Sequence, residues 1–306
     1  MTRAGKSSET QLMPRFLIPI GGNEKKSASS EIFKEMVELA GGSNARIVVV
    51  PTASESPGER ARDYEKIFSE FNPETIQIVH IGERPDAGSD KLRKIIREAS
   101  LFMFAGGDQL RISSLIGGTP LHAALIDRYR EGGCVVAGTS AGAAVIPEVM
   151  IFQNNRFRAY RKGGIEMTKG LGLIHDMIFD THFVQRSRIS RLVNAVATNP
   201  ALLGFGIEEN TGLLIEDETR ARVIGTGTVI VVDGRAIEIN HIGYAENGSP
   251  FALTNVVYSV LTPGVVYDLK SRRVIDPGPT APPKSMVPRH KRPSGKTRPP
   301  TKLGLN

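Results

Sequence analysis

Cysteine is all but absent: the chain of 306 residues holds one, Cys134. A lone thiol closes no internal disulfide, so no bridged extracellular scaffold is encoded, and a reducing cytoplasm fits. Cys134 opens the apolar run Cys134-Val135-Val136-Ala137 and reads as a core residue before it reads as a reactive thiol. No stretch of about 18 or more apolar residues occurs, which excludes a membrane-spanning helix at the level of sequence. Met1 to Pro14 is polar and lacks the apolar segment of a secretory signal, so a cytoplasmic location is expected. Internal repeats are absent, as is any linker of domain scale before residue 276. Apolar residues make up 40% of the chain, enough for one sizeable core. The expected organisation is a flexible N-terminus over 1–13, one α/β domain over 14–275 and a tail over 276–306.

The formal net charge is +7, but it is unevenly spread. Residues 276–306 carry seven Lys and Arg against Asp276 alone, a net +6, which leaves +1 for all the rest. That tail also holds eight of the prolines from Pro277 onward. With little to bury, it is expected to be disordered. A basic tail can touch nucleic acid or an anionic polymer. A nearly neutral body argues against nucleic acid as the main partner, and a solvated extension is the simpler reading.

The body alternates between two hydrophobic periods. Arg15 to Ile20, Arg46 to Val50, Thr75 to Ile81, Leu101 to Phe104 and Cys134 to Ala137 read as strands. Residues 30–39, 59–71, 91–99 and 119–131 read as helices between them. Continuous apolar strands alternating with helices predict a mostly parallel, doubly wound sheet covered on both faces. Beyond Leu202 the runs Leu213 to Ile215, Ala221 to Ile224 and Thr228 to Val232 predict antiparallel strands added at one edge. In such sheets ligands bind past the carboxyl ends of the strands. Gly21-Gly22-Asn23, Thr52, Gly106-Gly107-Asp108-Gln109, Ser140 and Asp180-Thr181-His182 are therefore expected at one crevice.

Residues 138–142 read Gly-Thr-Ser-Ala-Gly directly after an apolar strand. Gly-x-Ser-x-Gly in that context is the form of a nucleophile elbow, a sharp strand-to-helix turn that lifts the serine hydroxyl clear of the sheet. Among six histidines, His182 alone follows a strand on the ligand-bearing rim and is the candidate general base. His80 reads as a structural strand residue. Glu208 and Glu209 follow another strand, and adjacent residues on a strand face opposite ways. One of them can orient the imidazole, with Asp180 as a rival. The order serine, histidine, acid differs from the serine, acid, histidine order of α/β-hydrolases. Arg186, Arg188 and Arg191 follow the histidine. A helix starting near Phe183 would make the last two neighbours on one face, suited to clamping carboxylates. The basic, aromatic run Arg156 to Lys162 is either a loop gripping an acidic polymer or a solvated loop.

Four blocks then carry a family resemblance: Ala105-Gly106-Gly107-Asp108-Gln109-Leu110-Arg111; Gly138-Thr139-Ser140-Ala141-Gly142-Ala143; Asp180-Thr181-His182-Phe183 with Arg186, Arg188 and Arg191; and Gly206-Ile207-Glu208-Glu209-Asn210-Thr211. Over roughly residues 14–270 the chain resembles the cyanophycinases among the S51 serine peptidases, relatives of the aspartyl dipeptidase peptidase E. The three arginines at fixed offsets are the most specific sign, separating cyanophycinases from peptidase E. The resemblance implies a class I glutamine amidotransferase-like α/β fold, a cytoplasmic homodimer, and neither metal nor other cofactor. It implies cleavage of cyanophycin, a poly-aspartate carrying arginine on its side chains, to β-Asp-Arg dipeptides through an acyl-enzyme. It places Ser140 as nucleophile, His182 as base and Glu209 as acid. Gln109, Asp180, Thr181, Arg186, Arg188 and Arg191 fall on substrate-binding positions. Thr181 stands where the family usually has Gln, and Glu208 where it has Asp. Gly107 and Ala141 are the expected oxyanion donors. The other readings are a peptidase E-like dipeptidase for Asp-X or isoaspartyl substrates, a glutamine amidotransferase-like module, against which Ser140 in place of cysteine speaks, and a nucleic-acid-binding protein.

Overall fold

The computed structural model describes residues 13–154 and 160–279. Residues 1–12 of the expected flexible N-terminus, the basic tail from residue 280 and residues 156–159 of the Arg156–Lys162 segment lie outside the described residues. The chain begins β1 (Arg15–Ile20), α1 (Glu31–Leu39), β2 (Arg46–Val50), α2 (Pro57–Ser69) and β3 (Thr75–Ile78). It continues with α3 (Asp90–Glu98), β4 (Leu101–Phe104), α4 (Gln109–Ile116), α5 (Pro120–Arg130), β5 (Cys134–Thr139) and α6 (Ala141–Ala144). Next come β6 (Val149–Asn154), β7 (Ile165–Lys169), β8 (Met177–Thr181), α7 (Ile189–Thr198) and β9 (Leu203–Ile207). The last strands are β10 (Thr211–Glu216), β11 (Arg220–Gly225), β12 (Val229–Asp233), β13 (Val257–Leu261), β14 (Val266–Asp268) and β15 (Arg273–Asp276).

Local chemistry explains where the helices begin. Pro57 and Pro120 occupy the first turns of α2 and α5, where a missing N–H costs no bond. Thr119 and Asp108 cap α5 and α4 through their side-chain oxygens. The strands are apolar on both faces because both faces are covered. Ile18, Ile47, Val49, Met103 and Val135 meet α1 and α2 through Phe33, Met36, Tyr64 and Phe68. The alternate residues Leu17, Val48, Val50, Phe102 and Val136 face Ile96, Leu121 and Leu125 of α3 and α5. This is the two-residue period of a strand expressed as two separate cores.

Nine strands form the central sheet in the order β15-β14-β11-β10-β1-β5-β4-β2-β3. The five from β1 to β3 in this order are mutually parallel, and those beyond β1 are antiparallel. The later strands do not all join that edge. β8, β9, β12 and β13 form a second sheet, in which β8 and β9 run parallel. Its Phe179 and Phe205 lie 6.0 Å apart, and Phe205 meets Tyr267 of the central sheet edge-on at 6.4 Å, so the two sheets share one core. β6 and β7 form a separate hairpin.

Other expectations are corrected in detail. β3 ends at Ile78, and His80 is exposed beyond it rather than inside a strand. α7 starts at Ile189, not near Phe183, because His182 and Ser187 both take positive φ and fold the intervening residues into turns. Cys134 is fully buried, and burial pushes its thiol up to about 12, so it stays a neutral core group.

Candidate active site

The end of β1 gathers three distant segments. Successive carbonyls of one short stretch each accept a backbone N–H from a different part of the chain: Ile20 from Ser140 (3.0 Å), Gly21 from His182 (2.7 Å) and Gly22 from Asn210 (2.8 Å). Gly21-Gly22 thereby joins the central sheet, which carries Ser140, to the second sheet, which carries His182 and Glu209. Neither glycine has room for a side chain. A Cβ on Gly21 would lie 1.8 Å from the Glu208 carbonyl oxygen, and one on Gly22 would lie 2.3 Å from Cε1 of His182.

Ser140 sits between β5 and the short α6 with φ 53° and ψ −114°, a conformation a non-glycine residue adopts only when its surroundings enforce it. The enforcement is close packing: a Cβ on Gly138 would fall 2.2 Å from the Gly142 oxygen, and one on Gly142 2.2 Å from the Phe104 oxygen. The resulting turn leads into α6 at Ala141, whose N–H stands among the helix-start groups without an intrahelical acceptor.

The hydroxyl, imidazole and carboxylate are in line. Ser140 Oγ lies 2.9 Å from His182 Nε2, and His182 Nδ1 lies 2.7 Å from Glu209 Oε1. Glu209 Oε2 accepts from Asn23 Nδ2 at 2.9 Å. Hydrogen bonds from His182 and Asn23 hold the Glu209 carboxyl below its ordinary range, so the anion that orients the imidazole is favoured. Glu208, the other acid left open by the strand argument, turns away and accepts from the Thr228 hydroxyl at 2.8 Å. Asp180, the rival orienter, is also elsewhere.

Asp180 is fully buried beneath the turn that carries His182. Arg191 grips it with two donors, Nε to Oδ2 at 2.9 Å and Nη2 to Oδ1 at 2.8 Å. Arg188 Nη1 reaches Asp180 Oδ1 at 3.3 Å and the Thr181 carbonyl at 2.8 Å. Burial lowers the Arg188 guanidinium to about 10 even though Asp180 opposes the change. Gln109 Nε2 donates to the carbonyls of Ile151 and Phe152 and so holds the β6–β7 hairpin. Of the six residues expected to meet substrate, Arg186 alone is exposed; Thr181 is buried.

A cavity of about 950 Å³ opens at this point. Ser140, His182, Glu209, Asn23 and Gly106 to Asp108 line it, in keeping with the crevice expected at the strand ends. Thr52, Gln109, Asp180, Thr181, Arg186, Arg188 and Arg191 are not among its lining residues. Other lining residues were not anticipated: Glu24, Lys26, Glu59, Arg60, Tyr64 and Arg111. Glu24 is almost wholly buried, with Tyr64 Oη and Thr139 Oγ1 donating to its two oxygens at 2.6 Å each and Lys26 Nζ at 3.1 Å. No local pattern marks a loop glutamate for burial, since its partners lie 40 and 115 residues away. Of the other histidines, His122 accepts a hydrogen bond from the Gly118 amide at Nδ1 and contacts the Leu171 carbonyl through Nε2, and His175 pairs with Glu148. Among the described residues, no cluster of three or more His, Cys, Asp and Glu could hold a metal ion, and no helix is long and apolar enough to cross a membrane.

A layered α/β fold whose strand ends join a serine hydroxyl, an imidazole and a carboxylate defines the serine hydrolase class. The model of Peptidase family S51 matches residues 16–223, and the chain belongs to that family. It is 35% identical over 259 residues to a cyanophycinase of Synechococcus elongatus, covering 84% of this chain and 80% of the relative. It is 32% identical over 263 residues to a cyanophycinase of Geminocystis herdmanii, covering 86% and 97%. Among solved structures, a peptidase from an acI-B1 Actinobacterium superposes with a TM-score of 0.59 at 18% identity, over 82% of this chain and 98% of that one, a likeness of fold.

Proposed function

We propose that this protein is a cyanophycinase-like serine peptidase that cuts cyanophycin to β-Asp-Arg dipeptides through an acyl-enzyme. The observation that carries the reading is the Ser140–His182–Glu209 chain at 2.9 and 2.7 Å, in a protein whose relatives at 32 to 35% identity are cyanophycinases. Ser140 on its nucleophile elbow gives its proton to His182 Nε2 as its oxygen attacks an aspartyl carbonyl. Glu209 accepts from Nδ1–H, fixes the tautomer and stabilises the imidazolium. The tetrahedral oxyanion is received by the amides of Ala141 and Gly107, each such donor being worth on the order of 10²–10³ in turnover. Collapse breaks the C–N bond, and the imidazolium protonates the leaving amine. Water, deprotonated by His182, then releases the acyl group and restores Ser140.

Arg186, exposed on the turn after His182, is the arginine available to substrate carboxylates. Asp180, Arg188 and Arg191 act from behind, holding that turn, while Gln109 sets the neighbouring hairpin and Thr181 lends its carbonyl to Arg188. A cytoplasmic homodimer of one α/β catalytic domain over 14–275 completes the reading, carried by the family resemblance.

Incubation with purified cyanophycin, with mass spectrometry of the products, tests the function. The expected product is β-Asp-Arg, and Ser140→Ala should abolish its formation. Release of residues from Asp-X or isoaspartyl dipeptides without attack on the polymer would replace this reading with a peptidase E-like one. Light scattering at assay concentration tests the dimer.

A further inference from the structure

The wall of the cavity that also holds Ser140 and His182 contains one buried group whose arrangement catalysis does not use. Glu24 is 4% exposed, Tyr64 0% and Thr139 5%. Both Glu24 oxygens are occupied, Oε1 by the Tyr64 hydroxyl and Lys26 Nζ, and Oε2 by the Thr139 hydroxyl. The Lys26 side chain is 28% exposed and lines the cavity together with Ser140. Its Nζ also stands 5.1 Å from the centre of the Tyr64 ring. An ammonium has three donors, and this one spends a single direction on Glu24 while the ring face stabilises its charge. The group that this assembly presents to the cavity is therefore a cation whose position is fixed from below.

The other cavity cations are committed differently. Arg60 Nη1 pairs with Asp63 at 3.1 Å, and Arg111 Nη1 donates to the Ser54 carbonyl at 3.2 Å. Lys26 is distinguished by being seated on a buried carboxylate, which is bonded in turn to Thr139, the residue directly before Ser140. A cation so registered to the serine can read a negative group at a set distance from the reacting carbonyl.

We propose that Lys26, seated by Glu24 and Tyr64, is a carboxylate-binding site of this cavity and fixes specificity for an acyl donor that carries a free carboxylate on its arm. This rests on the peptidase reading above. In an aspartyl unit bearing arginine through its side-chain amide, that group is the arginine α-carboxylate. Lys26 is thereby a specificity residue and takes no part in proton transfer.

The test is equilibrium binding, by calorimetry, of β-Asp-Arg and of the same dipeptide with its arginine carboxylate converted to the carboxamide. Both are titrated into the Ser140→Ala protein, where no turnover intervenes. A charge-assisted hydrogen bond predicts that the free carboxylate binds about 10- to 100-fold more tightly than the amide. Lys26→Met in that background should erase the preference, and Lys26→Arg should keep most of it. Thermal unfolding reports whether each variant is folded, and the comparison of the two dipeptides on intact Lys26 needs no such control. Equal binding of both dipeptides, binding of neither, or a preference that survives Lys26→Met would overturn the proposal. A cyanophycin assay with the unmutated chain is scored separately. Intact polymer alongside a Lys26-dependent carboxylate preference would sink the depolymerase reading and leave the binding site standing.

Discussion

Gly22→Ala is the sharpest perturbation the fold offers, because it displaces the imidazole without removing a polar group. The added methyl would sit 2.3 Å from Cε1 and 2.5 Å from Nε2 of His182. Ordinary contact between such atoms is about 3.5–4.0 Å, so the ring must retreat by roughly 1 Å or more. Its two hydrogen bonds, 2.9 Å to Ser140 and 2.7 Å to Glu209, lie on opposite edges of the ring, and one movement cannot preserve both. A displacement of about 1 Å typically costs on the order of 10²-fold, and loss of the base about 10²–10⁴-fold. The backbone adds a smaller penalty. Gly22 has φ +100°, and forcing alanine into the left-handed region costs roughly 1–2 kcal/mol. For a chain of this length that lowers Tm by about 2–8 °C. Steady-state turnover of cyanophycin, measured beside a calorimetric melt, separates the two effects. The expected result is a folded protein with kcat reduced at least about 10²-fold. A variant with kcat within a few-fold of the parent would refute the argument that the Gly21-Gly22 turn and the imidazole are packed in contact during catalysis.

Four further outcomes follow from the same geometry. Asp180→Ala strands two arginines around an empty carboxylate site and should cost about 3–5 kcal/mol of stability, read as a fall in the calorimetric melt; an unchanged Tm with a raised KM would instead assign Asp180 to substrate binding. Glu209→Gln keeps the shape but loses the anion, and kcat should drop on the order of 10³–10⁴-fold with β-Asp-Arg binding nearly unchanged. Thr139→Val leaves one Glu24 oxygen without its donor and should destabilise by about 1–3 kcal/mol in urea unfolding, a cost the Glu24→Gln, Thr139→Val pair should not double. Burial pushes the Glu24 carboxyl up, but Lys26, Thr139 and Tyr64 outweigh it and leave the group below its ordinary value of 4.5. A carboxyl lowered by folding adds stability above that ordinary value, and the stability is lost as pH falls through the lowered one. Tm should therefore fall more steeply as the pH drops below 4.5 in the parent than in Glu24→Gln; parallel curves would remove Glu24 from the acid response.

Much of this was legible along the chain because it is written in short-range patterns. Leu17 and Ile18 face opposite cores through strand alternation alone, and Gly138 and Gly142 announce a turn too tight for side chains. Ser140 and His182 stand out because each ends an apolar strand. What the pattern could not supply was partition between sheets. β8 reads like any strand of a parallel sheet, yet it pairs with β9 rather than with β5, and register of that kind depends on contacts remote in sequence. The arginines show the same limit. Their offsets suggested a face of one helix, whereas Arg188 precedes α7, and both Arg188 and Arg191 turn inward to Asp180. Glu24 left no local trace at all, since its burial is decided by Tyr64 and Thr139.

These long-range contacts converge on one structural reason for the site's position. Ser140 comes from the central sheet, while His182 and Glu209 come from the second, and two sheets packed through Phe179, Phe205 and Tyr267 have no intrinsic alignment finer than side-chain packing allows. Hydrogen bonds at 2.7 and 2.9 Å require finer alignment than that. The backbone supplies it, because Ile20, Gly21 and Gly22 accept in succession from Ser140, His182 and Asn210. Each reacting side chain is then referred to the same few peptide units, either directly or, for Glu209, through its neighbour. Movement of one sheet against the other cannot separate serine from histidine without breaking this row of bonds. Buried Asp180 below His182 and buried Glu24 beside Thr139 fix the same two segments from the other side, which explains why both carboxylates are fully partnered and away from the bond being cut.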